Sequence, residues 1–339
     1  MISSRSMKSL MNRRKISLSV LSGLLVLWFS GLLDHLWESS FEDFRWPPYG
    51  VDVLAETRRA AVGKRMLVAV ENDLRSFRHI EIPNCRHRNS SQKLLIVAKS
   101  SVSNSKEREA IRRTWGTSSG DTSIQTVFVV GTTTDSELEA ELRIEIDKHG
   151  DVLYADSVDS YRNNTRKLIH SILFAFEPGN GCRSPEFLFL VDDDYMVNVA
   201  ALRRYLSKEQ HSLHMYEGWM FDTTPFRFRL HKHSVSLEHY PFDRYPPYIS
   251  AGAVLMSRST FTHFYYAMQL VRIYPFDDIY AGILAHLLRI EPRHNEAFVF
   301  WSRSIGADEW KRGDVLAAHG YSPEKLLSDF PQLHQRRHQ

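Results

Sequence analysis

Phe187-Leu-Phe-Leu-Val191, followed without a break by Asp192-Asp193-Asp194, is the stretch on which the fold of this chain turns. An uninterrupted apolar run of strand length reads as a strand buried on both faces. Adjacent carboxylates at its carboxyl end repel one another unless a cation neutralises them. Oxygen ligands of this kind suit Mg²⁺ or Mn²⁺, which bind protein carboxylates together with substrate phosphates. Side chains alternate along an extended segment, so Asp192 and Asp194 are expected to act together while Asp193 faces elsewhere. A bare acidic triplet is more often a solvated turn. Its place at the carboxyl end of the most apolar strand, where open α/β sheets bind ligands, favours the functional reading.

Strand and helix patterns alternate upstream of this point. Lys93–Lys99 reads as a strand, Lys106–Trp115 as a helix, Thr126–Gly131 as a second strand and Ser136–His149 as a second helix, with Ser136 and Glu139 at capping-box spacing. Asp151–Tyr154 reads as a third strand and Asn164–Phe176 as a third helix. That alternation predicts an α/β fold: a mostly parallel sheet with helices on both faces. There is no GxxxxGK[ST] and no GxGxxG, so phosphate-loop and dinucleotide readings lack support.

The amino terminus supplies an address. Residues Ile16–Leu33, ISLSVLSGLLVLWFSGLL, carry no charge. At about 1.5 Å per residue they reach roughly 27 Å, enough for a thin bilayer. Arg5, Lys8, Arg13, Arg14 and Lys15 precede the run, and Asp34, Glu38, Glu42 and Asp43 follow it. Positive charge stays cytoplasmic, so the bulk of the chain is expected in the lumen, anchored as a single-pass type II protein in a membrane such as that of the Golgi. A core helix and a cleaved signal peptide are the rival readings of the run. The expected organisation is a cytoplasmic tail over 1–15, a transmembrane signal anchor over 16–33, a lumenal stem over 34–91 and a catalytic domain over 92–330. Sequons at Asn89 and Asn163 suit a lumenal address. The two cysteines, Cys85 and Cys182, form no CxxC; an oxidising lumen predicts a disulfide between them.

Composition is that of an ordinary globular chain: 339 residues, 43% hydrophobic, 24% charged, net charge +3. No basic stripe with interleaved aromatics exists, so nucleic acid is not an expected partner.

Several segments then resemble, in order, the β-1,3-galactosyltransferase family of inverting glycosyltransferases, which also holds β-1,3-N-acetylglucosaminyltransferases. They are Arg108–Gly116, Phe128–Gly131, Asp156 with Asp159–Lys167, Phe189–Asp194 to Asn198, Tyr245–Gly252, Phe276–Gly282 and His319–Pro323. The resemblance spans about Gln92 to Phe330 and implies a GT-A fold, a UDP-sugar donor, bound Mn²⁺ or Mg²⁺ and a glycan acceptor on glycoprotein or glycolipid. It implies that Asp194 is the main metal ligand, with Asp192 near the ribose and the metal and His319 a second protein ligand. It implies Asp278 as catalytic base, with Asp277 in place of the family's Glu. Arg112, Asp156, Lys167, Asp192 and Asp193 fall in its donor-side motifs. Leu190 stands where the family often carries Lys, and Ala253-Val254 where an aromatic is common; these departures bear on donor choice.

Each residue also has a bland reading. Asp278 could simply complement the dipole of a helix over Tyr280–Leu288. Most histidines among 16 are surface or core residues. Trp115 and Trp219 read as core. Tyr245-Pro-Pro-Tyr248 reads equally as a rigid turn or, beside Gly252, as the lining of an acceptor groove. The expected activity is transfer of a hexose, galactose first, from UDP to a 3-hydroxyl of an acceptor glycan. N-acetylglucosaminyl or N-acetylgalactosaminyl transfer is the alternative within the class, and a non-catalytic carbohydrate-binding relative the alternative outside it. Nothing in the sequence sets the oligomeric state; a homodimer is compatible with it.

Overall fold

The structure is a computed structural model, and it describes residues 19–84, 93–117, 121–160, 163–177, 183–208 and 212–333. In chain order the elements are helix α1 (19–30), α2 (Val53–Ala61), β1 (His79–Glu81), β2 (Leu94–Lys99), α3 (Ser105–Arg112), β3 (Ile124–Thr132), α4 (Ser136–His149), β4 (Val152–Val158) and α5 (Asn164–Phe176). There follow β5 (Phe187–Asp192), β6 (Tyr195–Val197), α6 (Val199–Leu206), β7 (Tyr216–Phe221), β8 (Tyr248–Ser257), α7 (Arg258–Leu270) and α8 (Asp277–Leu287). The chain ends through β9 (Arg293–His294), β10 (Phe298–Val299), α9 (Ala307–Arg312), β11 (Ala317–His319) and α10 (Pro323–Asp329).

Two compact units result, one of residues 46–221 with 247–339, the other of 1–45 with 222–246. The larger unit holds an eight-stranded sheet in the order β1-β4-β3-β2-β5-β8-β7-β9. β4, β3, β2 and β5 are parallel, as the alternating pattern predicts. β8 then joins β5 antiparallel, β7 joins β8 antiparallel, and β1 closes the far edge antiparallel to β4. The sheet is therefore mixed, with six of its eight strands running one way and β1 and β8 the other. β7, reached from β5 through β6 and α6, runs the same way as β5, and β8 inserts antiparallel between them. A smaller sheet, β10-β11-β6, lies in the same unit.

Local chemistry sets most boundaries. All of β2 and the centre of β5 are buried, as their apolar runs require. α4 starts where expected, but its cap is the Asp135 carboxylate, which accepts from the Glu137 and Leu138 amides; Ser136 is already inside the helix. Its end is Gly150 at φ 61°, a left-handed position that glycine takes without steric cost.

The segment 34–91 is not a free stem throughout. The Trp46 indole donates to the Arg272 carbonyl at 2.8 Å, and the Asn72 amide donates to the Met268 and Val271 carbonyls at 2.7 and 2.8 Å. With β1 on the sheet edge, the described residues from Trp46 to Asn84 fall in the larger unit. Among the described residues no helix is long and apolar enough to cross a membrane. α1 is the described part of the Ile16–Leu33 run; residues 1–18, Cys85, Asn89 and Cys182 lie outside the described residues. Asn163 is described: it caps α5, its amide donates to the Val158 carbonyl at 2.7 Å, and Thr165 of the same sequon is buried with its hydroxyl on the Tyr274 carbonyl.

α8 is laid directly on β8. A Cβ at Gly282 would stand 2.6 Å from the Tyr248 Cβ. Helix propensity alone predicts that Gly282→Ala stabilises by about 1 kcal/mol. The contact predicts the reverse, because neither backbone can retreat from a packed interior, with a net loss of about 1–3 kcal/mol. Urea unfolding of Gly282→Ala decides the sign, and a higher midpoint would show that α8 does not press on β8.

Candidate active site

The carboxyl ends of β2 and β5 meet in register, Lys99 beside Asp192. The Lys99 ammonium, 6% exposed, lies 3.0 Å from Asp192 Oδ1 and 2.8 Å from Asp277 Oδ2 at the first turn of α8. Burial alone would lower its pKa; the two carboxylates outweigh that and hold it raised, so it stays protonated. Lys99 is the central residue that sequence reasoning missed. A lysine closing an apolar run looks like a solvent-facing strand end, and only the pairing with β5 shows otherwise.

The three aspartates diverge because β5 ends at Asp192, and Asp193 and Asp194 form the turn before β6 rather than an alternating strand. Asp193 turns to the loop after β2 and accepts from the Asn104 amide at 3.0 Å. Asp194 turns to His319, whose Nε2 lies 3.0 Å from its Oδ2. That meeting depends on the small sheet, because β11 pairs antiparallel with β6 so that His319 faces Tyr195. The Asp194 carbonyl also accepts from the Gly320 and Tyr321 amides at 3.1 and 2.9 Å. Gly320 sits at φ 91°, where other residues are strained. Desolvation raises all three carboxyl pKa values, and for Asp194 the charge of Asp192 adds to it.

Asp194 Oδ1 is buried and has no hydrogen-bond partner among the described residues. A buried carboxylate oxygen left unpaired is costly unless something absent from the chain satisfies it. Among the described residues no group of three or more His, Cys, Asp and Glu side chains could hold a metal ion. Asp194 and His319 would suit a divalent cation that takes its other ligands from outside these side chains.

Asp278 follows Asp277 on α8 and points its Oδ1 at its neighbour's amide, Ile279 N, at 2.8 Å. Desolvation pushes its pKa up to about 7, with the charge of Asp277 contributing. Asp277 is tied to Lys99; Asp278 is partly exposed and has no ion pair among the described residues. The expected base and its neighbour thus have different environments, one neutralised by a fixed ammonium and one poised to exchange a proton.

Other expected site residues are spent on the protein itself. The Arg112 guanidinium donates to both oxygens of Asp151 at 2.9 and 2.8 Å, pairs with Glu145 at 2.7 Å and stacks on Phe128. Lys167 donates to the Ser100 carbonyl at 2.7 Å and to Asp159 at 2.6 Å, and Asp159 accepts from the Val102 amide. Lys167 therefore braces the loop that carries Asn104 to Asp193. Asp156 pairs with Arg78 at 3.0 Å near the surface. Gly252 is buried under Tyr195, whose hydroxyl would stand 2.3 Å from a Cβ there, so this glycine makes room for packing. Trp115 is core, its indole donating to the Tyr195 carbonyl at 3.0 Å.

Tyr248 belongs to an aromatic shelf. Its ring lies 5.8 Å from Phe221, which packs edge-on against Phe300 and Trp301. Phe300 stacks parallel to His319 at 6.2 Å, and Trp301 is 60% exposed. Phe300 and Trp301 were not singled out from sequence, since aromatic side chains without a motif read as core.

A mixed sheet with this acid-rich strand end is the site of a glycosyltransferase, and comparison with known proteins agrees. The galactosyltransferase family model matches residues 106–296. Beta-1,3-galactosyltransferase bre-5 of Caenorhabditis elegans is 39% identical over 313 residues, covering 91% of this chain and 90% of that protein. Beta-1,3-galactosyltransferase brn of Drosophila melanogaster is 34% identical, covering 91% and 92%. The UDP-GalNAc:beta-1,3-N-acetylgalactosaminyltransferase 1 of Homo sapiens is 30% identical, covering 73% and 76%. The chain belongs to the galactosyltransferase family, among its β-1,3-linking glycosyltransferases.

Lys99→Met would leave Asp277, 11% exposed, without its cation. We expect a loss of about 3–5 kcal/mol at pH 8, chiefly from that carboxylate. Asp192, 40% exposed, adds less. Burial already holds the Asp192 carboxyl above its ordinary pKa, and loss of the ammonium raises it further, so the folded form regains stability as it protonates. The deficit should therefore shrink on going from pH 8 to pH 5; denaturant titrations at the two pH values test this, and an unchanged deficit would contradict the assignment.

Proposed function

We propose that this chain transfers a hexose, galactose first among the candidates, from a UDP-sugar to a 3-hydroxyl of an acceptor glycan with inversion. The observation that carries the reading is the Asp194 carboxylate, one oxygen on His319 and the other buried without a partner among the described residues, two residues beyond the strand end that Lys99 neutralises. Asp194 and His319 would hold Mn²⁺ or Mg²⁺, with Asp192 beside them. When bound, the cation supplies Lewis-acid stabilisation of the charge that develops on the departing diphosphate.

The chain's own residues do the rest. Asp278 takes the proton of the acceptor hydroxyl, and a raised carboxyl pKa makes it a stronger base than an ordinary aspartate. Lys99 keeps Asp277 and Asp192 in fixed positions, so neither drifts toward the base or the donor site. Trp301, exposed at the end of the aromatic shelf, offers an apolar face to the acceptor sugar. The similarity to the human N-acetylgalactosaminyltransferase supports transfer of N-acetylgalactosamine as the second reading. We place the enzyme in the Golgi membrane, anchored through residues 16–33 with its catalytic unit in the lumen; the charge asymmetry across that run supports this.

The tests use the purified enzyme with Mn²⁺ and a panel of UDP-sugars. Asp278→Asn should lower kcat by about 10²–10⁴-fold with little change in donor affinity, as removal of a general base requires. The wild-type kcat/KM should rise with pH through an acid limb near 7, because the base works only when deprotonated. Asp194→Ala should abolish metal-dependent turnover, and equal activity in that variant would remove the carboxylate from the mechanism. Trp301→Ala should raise the acceptor KM by roughly 2–10-fold and leave the donor KM unchanged, the size expected of one aromatic contact.

A further inference from the structure

We propose that the loop 226–234 is a lipid-contacting element that enters the bilayer interface beside the end of α1. The proposal rests on the reading of residues 16–33 as a membrane span and adds a second, non-helical contact with the same bilayer. Its first support is an inverted burial pattern. Along 225–230 the side chains alternate, but the charged residue is inside and the apolar ones are outside. Arg227 is 3% exposed, whereas Phe226, Phe228 and Leu230 are 55%, 46% and 70% exposed. An extended segment facing water turns its apolar side inward. Here the interior is polar by construction: the Arg227 guanidinium donates to Glu38 at 2.7 Å and to the Val235 and Phe242 carbonyls at 3.0 Å.

The second support is depth. The Arg229 amide donates to the Phe29 carbonyl at 3.0 Å, which pins the loop to the last turn of α1. Gly31, at φ 72°, permits this approach, since a Cβ there would stand 2.3 Å from the Arg227 carbonyl oxygen. Phe29 lies inside the uncharged run Ile16–Leu33. It is the penultimate residue of α1, four residues before the run ends. Phe228 and Leu230, on either side of Arg229, are carried to that level, where acyl chains meet headgroups.

The charges at this level are arranged as a bilayer interface requires. The Arg229 guanidinium pairs with Asp34 at 2.6 and 3.1 Å while lying over the Trp28 ring at 4.6 Å, so its charge is shared between a carboxylate and an aromatic face. Trp37, 68% exposed just past the run, suits the aromatic belt found at membrane surfaces. The exposed apolar side chains of α1 continue the same surface, Leu24 at 53% and Val26 at 66%. That continuity argues for lipid as the occupant over a second copy of the chain.

The test places the photo-crosslinker p-benzoylphenylalanine at position 230 of the full-length chain in phosphatidylcholine nanodiscs. Probes at position 24, in α1, and at position 213, a 74% exposed leucine of the catalytic unit, serve as references. After illumination, lipid adducts are measured by mass spectrometry. We expect adducts at 230 in roughly tenfold excess over 213, comparable with those at 24. A lipid-free probe at 230 beside a labelled probe at 24 overturns the proposal, as does an equal yield at 213 or a chain-to-chain adduct at 230. Absence of adducts at 24 defeats the membrane-span reading alone, because position 230 is judged by its own adduct.

Discussion

The site depends on one buried ammonium. Lys99 closes β2 at the point where β5 also ends, and it reaches across to the first turn of α8. Without it the carboxyl ends of β2 and β5 would gather Asp192, Asp193, Asp194, Asp277 and Asp278 in a partly desolvated corner, where like charges repel one another and resist folding. By neutralising Asp192 and Asp277, Lys99 sorts the carboxylates into those that are structural and those left available. Asp194 faces His319 with one oxygen unpaired, and Asp278 stands without an ion pair among the described residues. A positive charge fixed by packing can do this without competing with a bound cation, because its geometry is set by the β2–β5 register.

Around that corner the fold spends further ion pairs on loops rather than on ligands. Arg108 donates to Glu145 and to the Ser100 hydroxyl, and Lys167 holds the Ser100 carbonyl and Asp159. Together they fix residues 100–104, whose Asn104 orients Asp193. Loops at the carboxyl ends of strands carry function, and their backbone carbonyls need partners when buried. The basic residues Arg108 and Lys167 of the matched motifs therefore hold the shape of the loop.

Much of the framework was legible. The apolar runs of β2, β3 and β5 and the helices α4 and α5 follow from periodicity and caps, and α4 and α5 begin and end where expected. The separate partners of Asp192, Asp193 and Asp194 were not legible, because the chain leaves the strand at Asp192 and turns. Other features were not legible for definite reasons. β7 and β8 pair antiparallel, which no local pattern announces, since direction is a property of neighbours. Arg112 and Lys167 carry the right charge in the right motif, yet their partners, Asp151 and Asp159, are chosen by packing. The folding of residues 46–84 onto the catalytic unit was hidden by mixed composition, because each anchoring contact there is a single side chain meeting a distant carbonyl.

The sequence by itself determined that this is an α/β chain with an acidic strand end, an uncharged amino-terminal run and the ordered motifs of a galactosyltransferase. Those are local properties: hydrophobic period, charge spacing and short motifs survive in one dimension. Only the tertiary structure decided that Lys99 joins Asp192 to Asp277, that His319 meets Asp194, and that Phe228 and Leu230 face outward beside α1 while Arg227 faces in. Each of these depends on residues far apart in the chain meeting within a few ångströms. Such a meeting is governed by strand register, helix placement and the solvent on each face, none of which is written at the positions themselves.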